Sequence, residues 1–233
     1  MLIVRIFCWA AFSWVSGGLT SKAAVLANYQ FTSGSVASSD SDSLSTAGNF
    51  MFSGAPSSTE AAASSSTHMA YFRTSSLTST AAGAATNNDY FSFSFTPGVG
   101  QAYNLSSLTF DFGGSNTTGG AEFTTFAFLR TNAAGDNFTT DVGGLVSKVV
   151  IAGGNENQLE SFSIDLTSLS EFQNLSTATE FRFYLYSSVS NFSQILRMDN
   201  LMLNGSLVPE PSRALLMMLS VGGFSMLRRR DRV

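Results

Sequence analysis

Cysteine is all but missing. Cys8 is the only one in 233 residues, and it lies in the apolar run near the amino terminus. Removal of that run leaves a chain that can form neither a disulfide nor a thiolate metal site. Histidine is as scarce: His68 stands alone in a Ser-rich stretch. One histidine builds no multi-histidine metal centre, and a Ser-His-Asp arrangement would have to rest on that single residue. No Gly-x-Ser-x-Gly elbow occurs. The glycine pairs at 113–114, 119–120, 143–144 and 153–154 have no helix after them, so they read as turns rather than phosphate cradles.

Positive charge is also short, and it is badly distributed. Of the 12 basic residues, Arg5, Lys22, Arg213, Arg228, Arg229, Arg230 and Arg232 lie in the terminal segments. Only Arg73, Arg130, Lys148, Arg182 and Arg197 remain between them, against fourteen of the 16 acids once Glu210 and Asp231 are set aside. Five cations against fourteen carboxylates leave a body of net charge near −9. Five scattered cations make no phosphate-tracking stripe, which excludes a nucleic-acid partner. Electrostatic adhesion to anionic lipid is excluded for the same reason.

What is present begins with the two ends. Arg5 supplies a minimal positive region and Ile6–Gly18 an apolar one. Small-residue cleavage sites follow at Ser21-Lys22-Ala23 and at Val25-Leu26-Ala27, so residues 1–27 read as a signal peptide removed by signal peptidase. At the other end, Val208, Pro209, Glu210, Pro211 and Ser212 form a short polar motif. Uncharged Ala214–Leu227 comes next, then Arg228, Arg229 and Arg230. Fourteen residues of helix span about 21 Å, short of the roughly 30 Å of bilayer hydrocarbon. Gly222-Gly223 lies in the middle, where each Gly costs about 1 kcal/mol of helix propensity. Such a segment pauses in a membrane but anchors poorly, which suits removal; a permanent single-pass tail is the alternative. The arginines act as the stop and stay cytoplasmic, so the body faces the periplasm.

Motif, apolar helix and basic terminus in this order resemble the PEP-CTERM sorting signal of Gram-negative bacteria. The resemblance covers residues 208–233. It implies that the precursor is handled by exosortase, a membrane-embedded transpeptidase-like protease, and that the mature form goes to the cell surface or beyond.

Residues 28–207 suffice for one domain with a substantial core. The stretch 32–86 is crowded with Ser, Thr and Ala and reads as long loops between early strands. Phe50-Met51-Phe52 and Met69-Ala70-Tyr71-Phe72 are apolar islands within it. From residue 89 the pattern is β. Phe91, Phe93 and Phe95 alternate with Ser92 and Ser94, which puts three rings on one face. Leu108-Phe110-Phe112, Phe126–Leu129, Lys148–Ala152, Phe162-Ile164-Leu166, Phe181-Phe183-Leu185 and Leu196–Leu203 continue the series. The spacing predicts an all-β, antiparallel β-sandwich. Leu166–Leu175, with apolar residues at 166, 169, 172 and 175, is the one helix candidate.

Phe181-Arg182-Phe183-Tyr184-Leu185-Tyr186, then Met198-Asp199-Asn200-Leu201 ahead of the sorting signal, resemble the bodies of many PEP-CTERM proteins. These are similar to jelly-roll carbohydrate-binding modules with an Asp-Asn pair on a late strand. The resemblance implies a structural calcium or a glycan contact at Asp199 and Asn200; no other cofactor is expected. Asp136 with Asp141, and Glu156 with Glu160, are further oxygen-ligand candidates, though neither fits a twelve-residue EF-hand loop. Asp111, Glu122, Glu160, Asp165 and Glu180 are the carboxylates available for glycoside hydrolysis. Asn-x-Ser/Thr sequons begin at Asn104, Asn116, Asn137, Asn174, Asn191 and Asn204.

Two function classes follow. One is a non-catalytic surface or extracellular-matrix protein associated with exopolysaccharide. The other is a secreted carbohydrate-binding module or glycan-active enzyme with the same tail. Aromatic placement separates them: a binding platform exposes Tyr184 and Tyr186, or Tyr90 and Tyr103, as a coplanar strip beside polar groups.

Overall fold

The computed structural model describes residues 23–55, 57–116, 120–153 and 157–209. The expected apolar segments Ile6–Gly18 and Ala214–Leu227 lie outside them, as do Glu210, Pro211, Ser212 and Arg228–Arg230. Among the described residues no helix is long and apolar enough to cross a membrane.

The chain forms two antiparallel sheets. In chain order the strands are β1 (Ala24–Tyr29), β2 (Ser45–Ala47), β3 (Met51–Ser53), β4 (Ala61–Ala63), β5 (Ala70–Arg73), β6 (Tyr90–Pro97) and β7 (Tyr103–Ser115). They continue with β8 (Phe123–Thr131), β9 (Asp141–Val150), β10 (Asn157–Asp165), β11 (Thr179–Ser187) and β12 (Ile195–Leu207). The first sheet runs β10-β7-β12-β5-β4, and the second β9-β8-β11-β6-β2. In each, two short strands share one side of a longer partner. β5 pairs with Ile195–Met198 and β1 with Leu201–Gly205 of β12. β2 and β3 divide β6 in the same way.

The phenylalanine alternation does what its period requires. Phe91, Phe93 and Phe95 are all within 1 % of full burial, and Phe181, Phe183 and Leu185 on β11 share their layer. Phe93 stacks on Phe181 with centroids 4.9 Å apart, and Phe110 of the opposite sheet meets Phe183 edge-on at 4.9 Å. Each fully buried aliphatic or aromatic side chain contributes roughly 1.5–3 kcal/mol. With no cysteine among the described residues, this layer of rings holds the two sheets together. The apolar islands of the Ser/Thr/Ala-rich stretch supply β3 and β5.

Three local expectations are corrected. Gly113 and Gly114 do not turn the chain; they lie inside β7, paired with Leu159 and Gln158 of β10 and with Arg197 and Leu196 of β12. Glycine is required there because a Cβ at position 113 would overlap the Gln158 carbonyl oxygen. Gly143 and Gly144 form a bulge within β9, both at positive φ (75° and 83°), where glycine carries no Cβ penalty. Leu166–Leu175 is no α-helix. It contains one short 3₁₀ turn at Ser170–Phe172, and its apolar spacing drops Leu166, Phe172 and Leu175 from a loop into the core. The helix that does form, α1 (Ala81–Asn87), starts at Thr80, whose side chain accepts from the Gly83 N–H at 3.1 Å.

Candidate functional site

β12 positions both places that the sequence singles out. Its last rung is followed by one more hydrogen bond, from the Val208 N–H to the Ala102 carbonyl at 2.8 Å. Pro209 comes next and is exposed. The polar motif therefore begins at the rim of the body, with no intervening linker.

Halfway along β12 a bulge falls between Asp199 and Met202, and Asn200 sits there at φ 49°. Asp199 projects from the outer face directly opposite Asp111 of β7. The Asn200 side-chain amide donates to Asp111 Oδ2 at 2.6 Å, and the Ser161 hydroxyl donates to Asp111 Oδ1. The Asn200 backbone N–H donates to Asp199 Oδ1 at 2.8 Å. Burial pushes the Asp199 carboxyl above the usual carboxylate range; Asp111 adds to this, while the Asn200 N–H and His68 act against it. The fold thus gathers Asp199, Asn200 and Asp111.

His68 occupies an αL position at φ 55°, and its Nδ1 accepts from the Ser33 backbone N–H at 3.3 Å. That places it in a loop contact and gives it no Ser-His-Asp geometry. Two residues before Asp199, Arg197 is 8 % exposed and bonds to neutral partners, the Ser115 hydroxyl at 3.0 Å and the Thr67 hydroxyl at 3.1 Å. Burial lowers its pKa, with Tyr71 opposing and Arg73 adding. Residues 197 and 199 share a side of one strand, which puts Arg197 on this face.

Calcium fits this site poorly. It takes six to eight oxygen ligands, whereas both oxygens of Asp111 are already engaged by donors and Asn200 presents its amide N–H. Among the described residues no group of three His, Cys, Asp or Glu is placed to hold a metal. The other acidic candidates have protein partners. Asp136 caps the Phe138 and Thr140 N–H groups, Asp141 pairs with Arg130 at 2.6 Å, and Glu160 pairs with Lys148 at 3.2 Å. Glu156 lies outside the described residues.

The carboxylates weighed for glycoside hydrolysis are dispersed. Glu180 pairs with Arg182 at 2.8 Å. Asp165 takes the Thr167 hydroxyl and N–H, which lower its pKa. Glu122 is exposed just before β8. The tyrosines do not form an exposed coplanar strip. Tyr103 is 1 % exposed in the core, and its hydroxyl donates to Asp42 at 2.6 Å. Tyr184 is 4 % exposed on the outer face of the second sheet, beneath Ala84 of α1 and stacked on Phe128 at 5.3 Å. Tyr186 stacks face to face on Phe126 at 4.5 Å, so one side of its ring is taken.

The sequons divide by burial. Asn116 is 2 % exposed, Asn104 and Asn204 are half-buried in strands, and Asn137, Asn174 and Asn191 are exposed.

No family model and no curated protein matches the chain. Solved structures similar to it include two cleaved adhesin domains of Lys-gingipain from Porphyromonas gingivalis W83. The K1 domain is 12 % identical with a TM-score of 0.31, and the K3 domain 11 % identical with a TM-score of 0.32. Each match covers 58 % of this chain and 72 % of the other. At these scores the likeness assigns no function.

Proposed function

We propose that this chain is an exported, non-catalytic surface or extracellular-matrix protein, sorted and cleaved by an exosortase and associated with exopolysaccharide. In this reading the body is a jelly roll flanked by a signal peptide and a C-terminal transmembrane sorting helix. The strand order supports the jelly roll. The last eight strands form two four-stranded layers, β10-β7-β12-β5 and β9-β8-β11-β6, with most connections passing between layers, as two Greek keys do. The burial of Tyr103 and Tyr184, and the pairing of Glu160 with Lys148 and of Glu180 with Arg182, support the non-catalytic class.

The observation that carries the sorting reading is the junction at Val208. The last strand ends at Leu207, Val208 still bonds to the body, and Pro209-Glu210-Pro211 begins at an exposed residue where a membrane protease can take it as an extended segment. Before cleavage the precursor is held in the inner membrane with its body in the periplasm. The experiment is the intact mass of the protein recovered from the surface of its own cells. Loss of both terminal segments is the expected result, and the mass of the uncut 233-residue chain overturns the reading.

A second reading, a secreted carbohydrate-binding module or glycan-active enzyme, draws on the outer face of the first sheet. There Asp111, Asp199, Asn200 and Ser161 present hydroxyl, amide and carboxylate groups beside Arg197, which has no carboxylate partner among the described residues.

A further inference from the structure

We propose that signal peptidase cuts between Ala23 and Ala24, so that β1 is the first element of the mature protein. The inference rests on the export reading above and decides between two sites that the sequence leaves equal. Both Ser21-Lys22-Ala23 and Val25-Leu26-Ala27 offer a small residue at the cut. Only the first leaves the fold whole.

β1 begins at Ala24, and its register runs from Ala24 opposite Gly205 to Tyr29 opposite Leu201. Leu26, Ala27 and Tyr29 are 0 % exposed. The partner strand is shaped around Leu26: at Gly205 an added Cβ would come within 2.7 Å of Leu26 Cδ1. Tyr29 ties the strand inward through a hydrogen bond from its hydroxyl to the Gly48 carbonyl. A cut after Ala27 removes four of the six residues of β1. It empties the Leu26 site and leaves backbone groups of Leu203–Gly205 without their partners. Ala23, by contrast, is exposed and precedes the strand. Hydrolysis there consumes one water, leaves a carboxylate on Ala23 and an ammonium on Ala24, and disturbs no pair of the sheet.

The site has a geometric consequence. Ala24 lies opposite Gly205, three residues before Val208, so the two ends of the body are neighbours in one sheet, within about 10 Å at 3.3 Å per residue. The segment cut by signal peptidase and the segment expected to hold the membrane thus leave the body from the same end. The first strand and the last can pair while both are still attached.

The test is N-terminal sequencing of the protein from the cell envelope, beside a full-length precursor carrying Ser21→Leu and Ala23→Leu. Both substitutions precede β1, which starts at Ala24. We expect the natural protein to start at Ala24 and the double variant to accumulate uncut. A natural start at Asn28, or continued processing of the double variant at Ala27, overturns the assignment while leaving export intact. A natural protein that still starts at Met1 overturns the export reading itself.

Discussion

Asp111 on β7 and Asp199 on β12 face each other directly across an antiparallel pair, two like charges in register. Such pairs destabilise a sheet by roughly 0.2–1 kcal/mol. Asn200 and Ser161 soften the opposition by donating to Asp111. Because burial raises the Asp199 pKa in the folded state, stability is fully present below its unfolded pKa and is lost as pH rises through the folded one. Asp199→Asn keeps an oxygen for the Asn200 N–H and removes the charge. It should raise Tm by about 1–3 °C near pH 7, with the gain vanishing at pH 3. An equal gain at both pH values would assign the effect to something other than ionisation.

Asp89 is a sharper case. It is 1 % exposed, its Oδ2 has no partner among the described residues, and burial lifts its pKa to about 6, against the opposing Thr78 N–H and Asn87 side chain. The same sign applies: the protonated form suits the fold, and stability falls between about pH 4 and 6. In Asp89→Asn that loss should be missing. The difference at pH 7.5 is on the order of 2–3 kcal/mol, or roughly 5–10 °C in Tm. Parallel Tm–pH profiles for the two proteins would show that Asp89 does not ionise under burial.

Gly113 tests the register of the first sheet. A methyl group there meets the Gln158 backbone carbonyl, which cannot rotate away as a side chain can. Gly113→Ala should cost about 1–3 kcal/mol, as overpacking does, and loosen β10 from β7. Thermal melting reads the cost and amide exchange along Asn157–Asp165 reads the loosening. Unchanged protection in β10 would contradict the pairing.

How far the sequence foretold this molecule depends on what each residue answers to. Phe91, Phe93 and Phe95 answer to a period of two, which is local, and they lie where the alternation puts them. Gly113 and Gly114 answer to neighbours on β10 and β12 that are more than forty residues away, so a local reading took them for a turn. α1 was invisible because its buried face is little more than Ala84, and Ala-Ala-Gly-Ala-Ala-Thr-Asn shows no apolar stripe. The Asp199-Asn200 pair was legible as a motif. Its meeting with Asp111 was not, since strand order alone creates it.

The central claim is that residues 208–233 are a disposable sorting device. Glu210 in hydrocarbon would cost about 2.5 kcal/mol or more, and the prolines oppose helix upstream, so in this reading the motif sits at the membrane surface, next to Val208, whose N–H bonds the Ala102 carbonyl. The most direct measurement replaces Pro209-Glu210-Pro211 with alanines and follows location and intact mass together. The account predicts normal export, a retained tail and arrest in the inner membrane. A variant that reaches the cell surface with the mass of the natural mature protein would contradict it.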